Sequence, residues 1–118
     1  MPCYNLLMAV VLVKNKISQD DLKKAQEEYG DFVKVDIDFE TGAMAIGGKW
    51  HADGEKLLLQ NGSKQPDIWG GGVNLQTKMI SYNSLINTKP LQDNPSQEIL
   101  DKQVRQKFAQ KIKDKFEL

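Results

Sequence analysis

The stretch FVKVDIDFETGAMAIG, Phe32 to Gly47, decides how the rest of the chain is read. Val33, Val35, Ile37 and Phe39 alternate with Lys34, Asp36 and Asp38. Successive side chains of a strand point to opposite faces, so this period of two predicts a half-buried strand over Phe32 to Glu40, apolar on one side and solvated on the other. Glu40-Thr41-Gly42 is a tight connection, and Ala43 to Gly47 is a second short strand. The pair reads as an antiparallel hairpin.

Upstream, Ser18 followed by Asp21 is a capping-box-like start, and Leu22, Ala25 and Tyr29 recur at helical spacing until Gly30 supplies a stop. The apolar run Tyr4 to Val13 lacks a basic leader and a small-residue cleavage site, and has about half the length that a bilayer requires. It reads as a buried strand, with residues 1–7 an extension outside the core fold. Downstream, Asp53 is placed to cap a short helix running to about Asn61, where Asn61-Gly62 ends it. Two strands follow, Ile68 to Leu75 and Lys78 to Thr88, then a loop from Lys89 to Gln97 marked by Pro90 and Pro95. Leu100, Val104, Phe108, Ile112 and Phe116 step by four and draw an apolar stripe along a final helix. The expected fold is α+β, a single domain over 1–118 in the order βαββαββα, with an antiparallel or mixed sheet carrying about three helices on one face.

Composition narrows the function classes. The 16 Lys and Arg cancel the 16 Asp and Glu, so no whole-molecule field draws the protein to nucleic acid or an anionic membrane. The lone Cys3 forms no internal disulfide, which fits a reducing, cytoplasmic compartment, and one histidine is too few for a Cys/His zinc site. Neither a metal nor a cofactor is expected.

The chemistry-bearing residues gather between Ile46 and Leu75, which hold the only histidine, both tryptophans and seven of the nine glycines. His51, Asp53 and Glu55 form an alternating cluster at a helix start that suits a general acid/base pair or a hard cation. In the plainer alternative, Asp53 caps, Glu55 complements the helix dipole and His51 is a hydrogen-bonded loop residue. Gly70-Gly71-Gly72 matches no phosphate-loop pattern and reads as a bulge or mobile loop beside the site. Trp50 and Trp69 offer rings for stacking, although at least one belongs in the core. Gln65, Asn74, Asn83, Asn87 and Gln92 either converge on one cleft or satisfy local backbone. Lys102, Arg105, Lys107, Lys111, Lys113 and Lys115 make the last helix locally basic, as a solvated face or a phosphate contact.

The runs GGKWHADGE, NGSKQ, IWG and SLINTKPLQDN resemble a family of small bacterial and archaeal proteins catalogued only as a domain of unknown function, over about residues 8 to 116. The resemblance singles out Gly47, Gly48, His51, Asp53, Gly62, Ser63, Gln65, Trp69, Gly70, Asn74, Ser84, Ile86, Asn87, Pro90, Gln92 and Asn94. It implies that the His/Asp and amide positions belong to one site and assigns that site no substrate. This chain departs from the pattern at Gly71-Gly72-Val73, where one residue is usual, and at Lys89, which stands for an arginine.

Three readings follow. The first is a polar cleft binding a small polar or nucleotide-like ligand, hydrolytic if enzymatic. In it His51 is the acid or base, Asp53 its orienting partner and Glu55 a second carboxylate, with Gln65, Trp69, Gly70, Asn74, Asn87, Lys89, Gln92 and Asn94 as ligand contacts. The second is a nucleic-acid or protein interaction module using the basic terminal helix, in a homodimer joined at a sheet edge. The third is a dimeric structural protein without a ligand.

Overall fold

The computed structural model describes residues 10–118. Strands β1 (Val10–Val13), β2 (Phe32–Asp38), β3 (Met44–Gly47), β4 (Ile68–Asn74) and β5 (Ile80–Ser81) alternate with helices α1 (Gln19–Ala25), α2 (His51–Gln60) and α3 (Lys102–Phe116). Single 3₁₀ turns occupy Gln65–Asp67, Leu85–Asn87 and Pro90–Gln92. The strands form one antiparallel sheet in the order β1-β3-β2-β4-β5. The α+β class and the order of elements are those expected. Of the strand expected over Tyr4 to Val13, Val10–Val13 is seen, while its earlier part and the 1–7 extension lie outside the described residues.

The hairpin forms as read, with Ile37 opposite Met44 and Val35 opposite Ile46. Asp38 builds its turn: the carboxylate accepts from Glu40 N at 2.8 Å and Thr41 Oγ1 at 2.9 Å, and Gly42 takes φ 82°. Helix α1 starts on the expected capping box, Asp21 N donating to Ser18 Oγ at 3.0 Å, but ends at Ala25 and continues as turns to Gly30.

Val33, Val35 and Ile37 of β2 join Met44, Ile46, Trp69 and Val73 under Phe108 and Ile112 of α3 and Ala25 of α1. Each large side chain sealed there contributes about 1.5–3 kcal/mol, which makes this the main core. The opposite face is covered too. Leu58 of α2 packs there against Val10, Ala45, Ile68 and Ile86. Helices therefore lie on both faces rather than one, and the polar side of β2 is not solvated: Asp36 and Asp38 are 2% and 1% exposed.

Two further expectations are corrected. The strand read over Lys78 to Thr88 is only Ile80–Ser81, because Ser84 turns the chain into a 3₁₀ turn by accepting from Ile86 N. Asn87 then takes the place of a strand partner at Gly70, accepting from its N–H and donating to its carbonyl, both at 2.8 Å. Gly70-Gly71-Gly72 is neither bulge nor loop but paired strand, opposite Asp36, Val35 and Lys34. A side chain at each would collide, with Asp36 and Ser84 at Gly70, with Phe108 at Gly71 and with Phe32 at Gly72.

Candidate functional site

Asp36 and Asp38 stand two residues apart on one face of β2, yet their surroundings are opposite. Asp38 accepts from Ser63 Oγ at 2.6 Å besides the turn donors. Burial pushes its carboxyl up, and the bonds from Ser63, Glu40 and Thr41 more than offset this, holding it below the usual range. Such a carboxylate is structural. Among the described residues, Asp36 meets a single hydrogen-bonding side chain: Oδ1 lies 2.7 Å from His51 Nδ1. Burial pushes its carboxyl above the usual range, the His51 contact only partly reversing it, and the negative charge of Glu55 adds to the rise. Keeping an under-solvated carboxyl beside the only imidazole opposes stability and suits chemistry.

The slot that holds Asp36 is built from absent side chains. Gly54 on α2 and Gly70 on β4 leave the space that the carboxyl fills, with the Ala45 methyl and the Ser84 hydroxyl as further walls. His51 is the first residue of α2, following Trp50, whose side chain makes no cap, so the helix start aims the imidazole back at β2. The His51 side chain is 13% exposed, partly open while its partner is sealed at 3%. The contact requires one proton, on Nδ1 with Asp36 ionised or on Asp36 with Nδ1 accepting. In the first arrangement a neutral ring presents Nε2 as an acceptor.

Around this pair the structure gathers part of the expected set. Glu55, one helical turn beyond His51, accepts from Gln65 Nε2 at 3.3 Å, and the same amide donates to the Ile86 carbonyl at 3.2 Å. Lys89, 4% exposed, donates to the carbonyls of Gln65 at 2.8 Å and Ile86 at 3.2 Å, with the Trp69 ring 5.2 Å away. Burial lowers its pKa to about 8, against the pull of Glu55 and Asp67.

Other members are placed elsewhere. Asp53 sits in the first turn of α2, neither capping it nor partnering His51; that partner is Asp36. Trp69 packs in the main core against Phe39, while Trp50 is 61% exposed. Asn74 closes the turn after β4, Gln92 donates to the Pro66 carbonyl at 3.0 Å, and Asn94 binds the carbonyls of Asn87, Ser96 and Glu98. Asn87, fully buried, also donates to the carbonyls of Tyr82 and Gln97. These amides are engaged with main chain. Among the described residues, no group of three His, Cys, Asp or Glu side chains is placed to hold a metal, and no helix is long and apolar enough to cross a membrane.

The sequence reading passed over Asp36. One signal pointed to it: a glycine inside the second helix at position 54, which costs about 0.5–1 kcal/mol unless something must approach closely.

On α3, Arg105 pairs with Glu98 at 2.9 Å, Lys107 and Lys111 lie over the Phe39 ring, and Lys115 donates to the Asn15 carbonyl. Tyr82, Lys102, Arg105, Gln106, Gln110 and Lys113 border a surface hollow of about 520 Å³.

Residues 11–115 match the model of a family described as a protein of unknown function (DUF5674), and the chain belongs to that family. No curated protein and no solved structure matches it.

Proposed function

We propose that the His51–Asp36 pair is the working centre of a site that binds a small polar ligand and performs acid–base chemistry on it, of hydrolytic type. The observation that carries this reading is the sealed carboxyl of Asp36, 2.7 Å from His51 Nδ1 in a slot that two glycines keep open. In this reading His51 Nε2 takes a proton from water as it attacks and returns it to the leaving group. Asp36 holds the tautomer and steadies the imidazolium, a role that the sequence reading gave to Asp53. Glu55 and Gln65, joined at 3.3 Å, supply polar contacts beside it.

His51 is the only histidine, so its imidazole resonances are unambiguous in NMR. A titration with small phosphate, carboxylate and amide compounds is expected to shift them, and the ligand that does so is expected to raise the Tm of the parent but not of His51→Ala. An imidazole that no compound perturbs would end this reading.

The basic hollow along α3 favours one alternative, an interaction module for an anionic polymer. Binding to RNA that falls steeply with salt and weakens in Lys102→Glu and Lys113→Glu would decide for it.

A further inference from the structure

We infer that Glu55 is a positioning residue of this site: with its carboxylate held by Gln65, its charge keeps the shared proton on the His51–Asp36 pair. This rests on the acid–base reading above and goes one step further, to the group that tunes the pair. Glu55 follows His51 by one helical turn on α2, which sets the two side chains on one face of the helix. Asp36 Oδ2 packs against the backbone of Gly54, the residue before Glu55. The helix therefore meets the buried carboxyl within the turn that carries both His51 and Glu55. Gln65 Nε2 donates to Glu55 Oε2 at 3.3 Å and to the Ile86 carbonyl at 3.2 Å, which uses both amide hydrogens and decides which way the carboxamide faces. Lys89 clamps the same two residues from below, donating from Nζ to the carbonyls of Gln65 at 2.8 Å and Ile86 at 3.2 Å. Fixing a long side chain costs rotamer freedom. A glutamate that only complemented the helix dipole would need no such hold.

What the fixed charge does follows from its sign. Burial is the largest cause of the raised Asp36 carboxyl; of the charges around it, His51 and Lys34 pull it down and Glu55 pushes it up. Gly70 of β4 and Ala45 of β3 also face this carboxyl and bring no charge. Beyond Glu55, Lys89 is acted on by Glu55 and Asp67, against the larger effect of its own burial. Glu55 therefore opposes a net negative charge on the pair and favours the state in which the pair holds a proton. The Glu55–Gln65 bond is part-buried, so solvent screens that charge less than on an open surface. A pair that keeps its proton toward neutral pH is better matched to giving and taking one there. His51 and Asp36 titrate together, so the quantity that reports this is the midpoint of the pair.

The test is an NMR pH titration of the single imidazole in the full chain, for the parent, Glu55→Gln, Gln65→Leu and Asp53→Asn. Glu55→Gln keeps an acceptor for the Gln65 amide and loses the charge, and its midpoint is expected about half a pH unit or more below that of the parent. Glu55→Ala gives the same comparison should the Gln variant lose the native amide spectrum. Gln65→Leu keeps the charge but frees it, so a smaller fall in the same direction is expected. Asp53→Asn removes an equal charge from the first turn of α2 and is expected to move the midpoint far less. A midpoint unmoved by loss of the Glu55 charge, or moved as far by Asp53→Asn, would overturn the inference. So would a Gln65→Leu chain that loses stability in urea yet keeps the parent midpoint, because the Gln65 bond would then be a strut alone. The two proposals separate cleanly. A small compound that perturbs the imidazole while the midpoint ignores Glu55 would defeat the positioning role alone. A midpoint that follows Glu55 in a chain whose imidazole no compound perturbs would uphold the charge coupling and defeat the acid–base reading.

Discussion

Gly54 of α2 lies directly against Asp36 of β2, with no room for a methyl group between the helix backbone and Oδ2. The closeness of the two elements depends on one absent side chain. Gly→Ala in a helix normally gains about 1 kcal/mol. Here the added Cβ also meets the Ala45 methyl at 3.3 Å, so the sign is expected to reverse. Gly54→Ala should lose about 1–3 kcal/mol in urea denaturation, and Asp36→Ala in the same chain should recover part of that loss. A stabilised Gly54→Ala would mean that the slot is not filled.

Asp36→Asn keeps an acceptor for His51 Nδ1 and removes the titration. Burial first, and Glu55 second, raise the Asp36 carboxyl above 3.8 in the folded chain. The native state therefore holds a proton that the unfolded chain has released. Its contribution is full below 3.8 and is lost as pH rises through the folded value. At neutral pH Asp36→Asn is expected to be more stable than the parent, the difference vanishing near pH 3. Chemical denaturation at a series of pH values measures it, and a variant less stable than the parent at pH 7 would contradict the burial cost.

The elements near β2 were legible because their patterns are local. Alternation over Val33 to Ile37, the Ser18 and Asp21 box, and the stepwise stripe ending at Phe116 each record a face buried by whatever lies opposite. Which face of β2 receives α2 is a matter of distant glycines, so Asp36 read as solvated. For the same reason the partner of His51 was sought two residues away, at Asp53, although it lies fifteen residues upstream in another element. The amides mark the other limit. Asn87 and Asn94 carry the same donors and acceptors whether they line a cleft or replace a strand, and only the position of Gly70 and the 96–100 backbone decides.

Asn87 carries four hydrogen bonds in a space closed to water, two of them to Gly70. Asn87→Ala would strand the N–H and the carbonyl of Gly70, each costing about 1–3 kcal/mol if water does not enter, while the Tyr82 and Gln97 carbonyls keep the N–H groups of Ile99 and Ser84. The expected loss is about 3 kcal/mol or more. Asn87→Asp should fare no better, because it keeps the acceptor for Gly70 N and turns a carboxylate oxygen toward three carbonyl oxygens. Urea melts with hydrogen exchange at Gly70 test this, and a loss below about 1 kcal/mol would mean that the edge of β4 has another partner.

Lys89 titrates within reach of ordinary buffers. Its pKa falls to about 8, chiefly through burial, against 10.5 for the unfolded chain. The native state sheds this proton first, so its contribution is complete above 10.5 and is lost as pH falls through about 8. Lys89→Met removes the titration and the Nζ bonds, while the Ile86 carbonyl keeps the Gln65 amide and the Gln65 carbonyl keeps the Ile68 N–H. The stability of the parent relative to Lys89→Met is therefore expected to rise between about pH 8 and 10.5 and to be level below pH 7. Paired denaturation curves from pH 6 to 10 follow that difference. An advantage that shrinks with rising pH would show that the ammonium, and not the neutral amine, is what the Gln65 and Ile86 carbonyls and the Trp69 ring are built to hold.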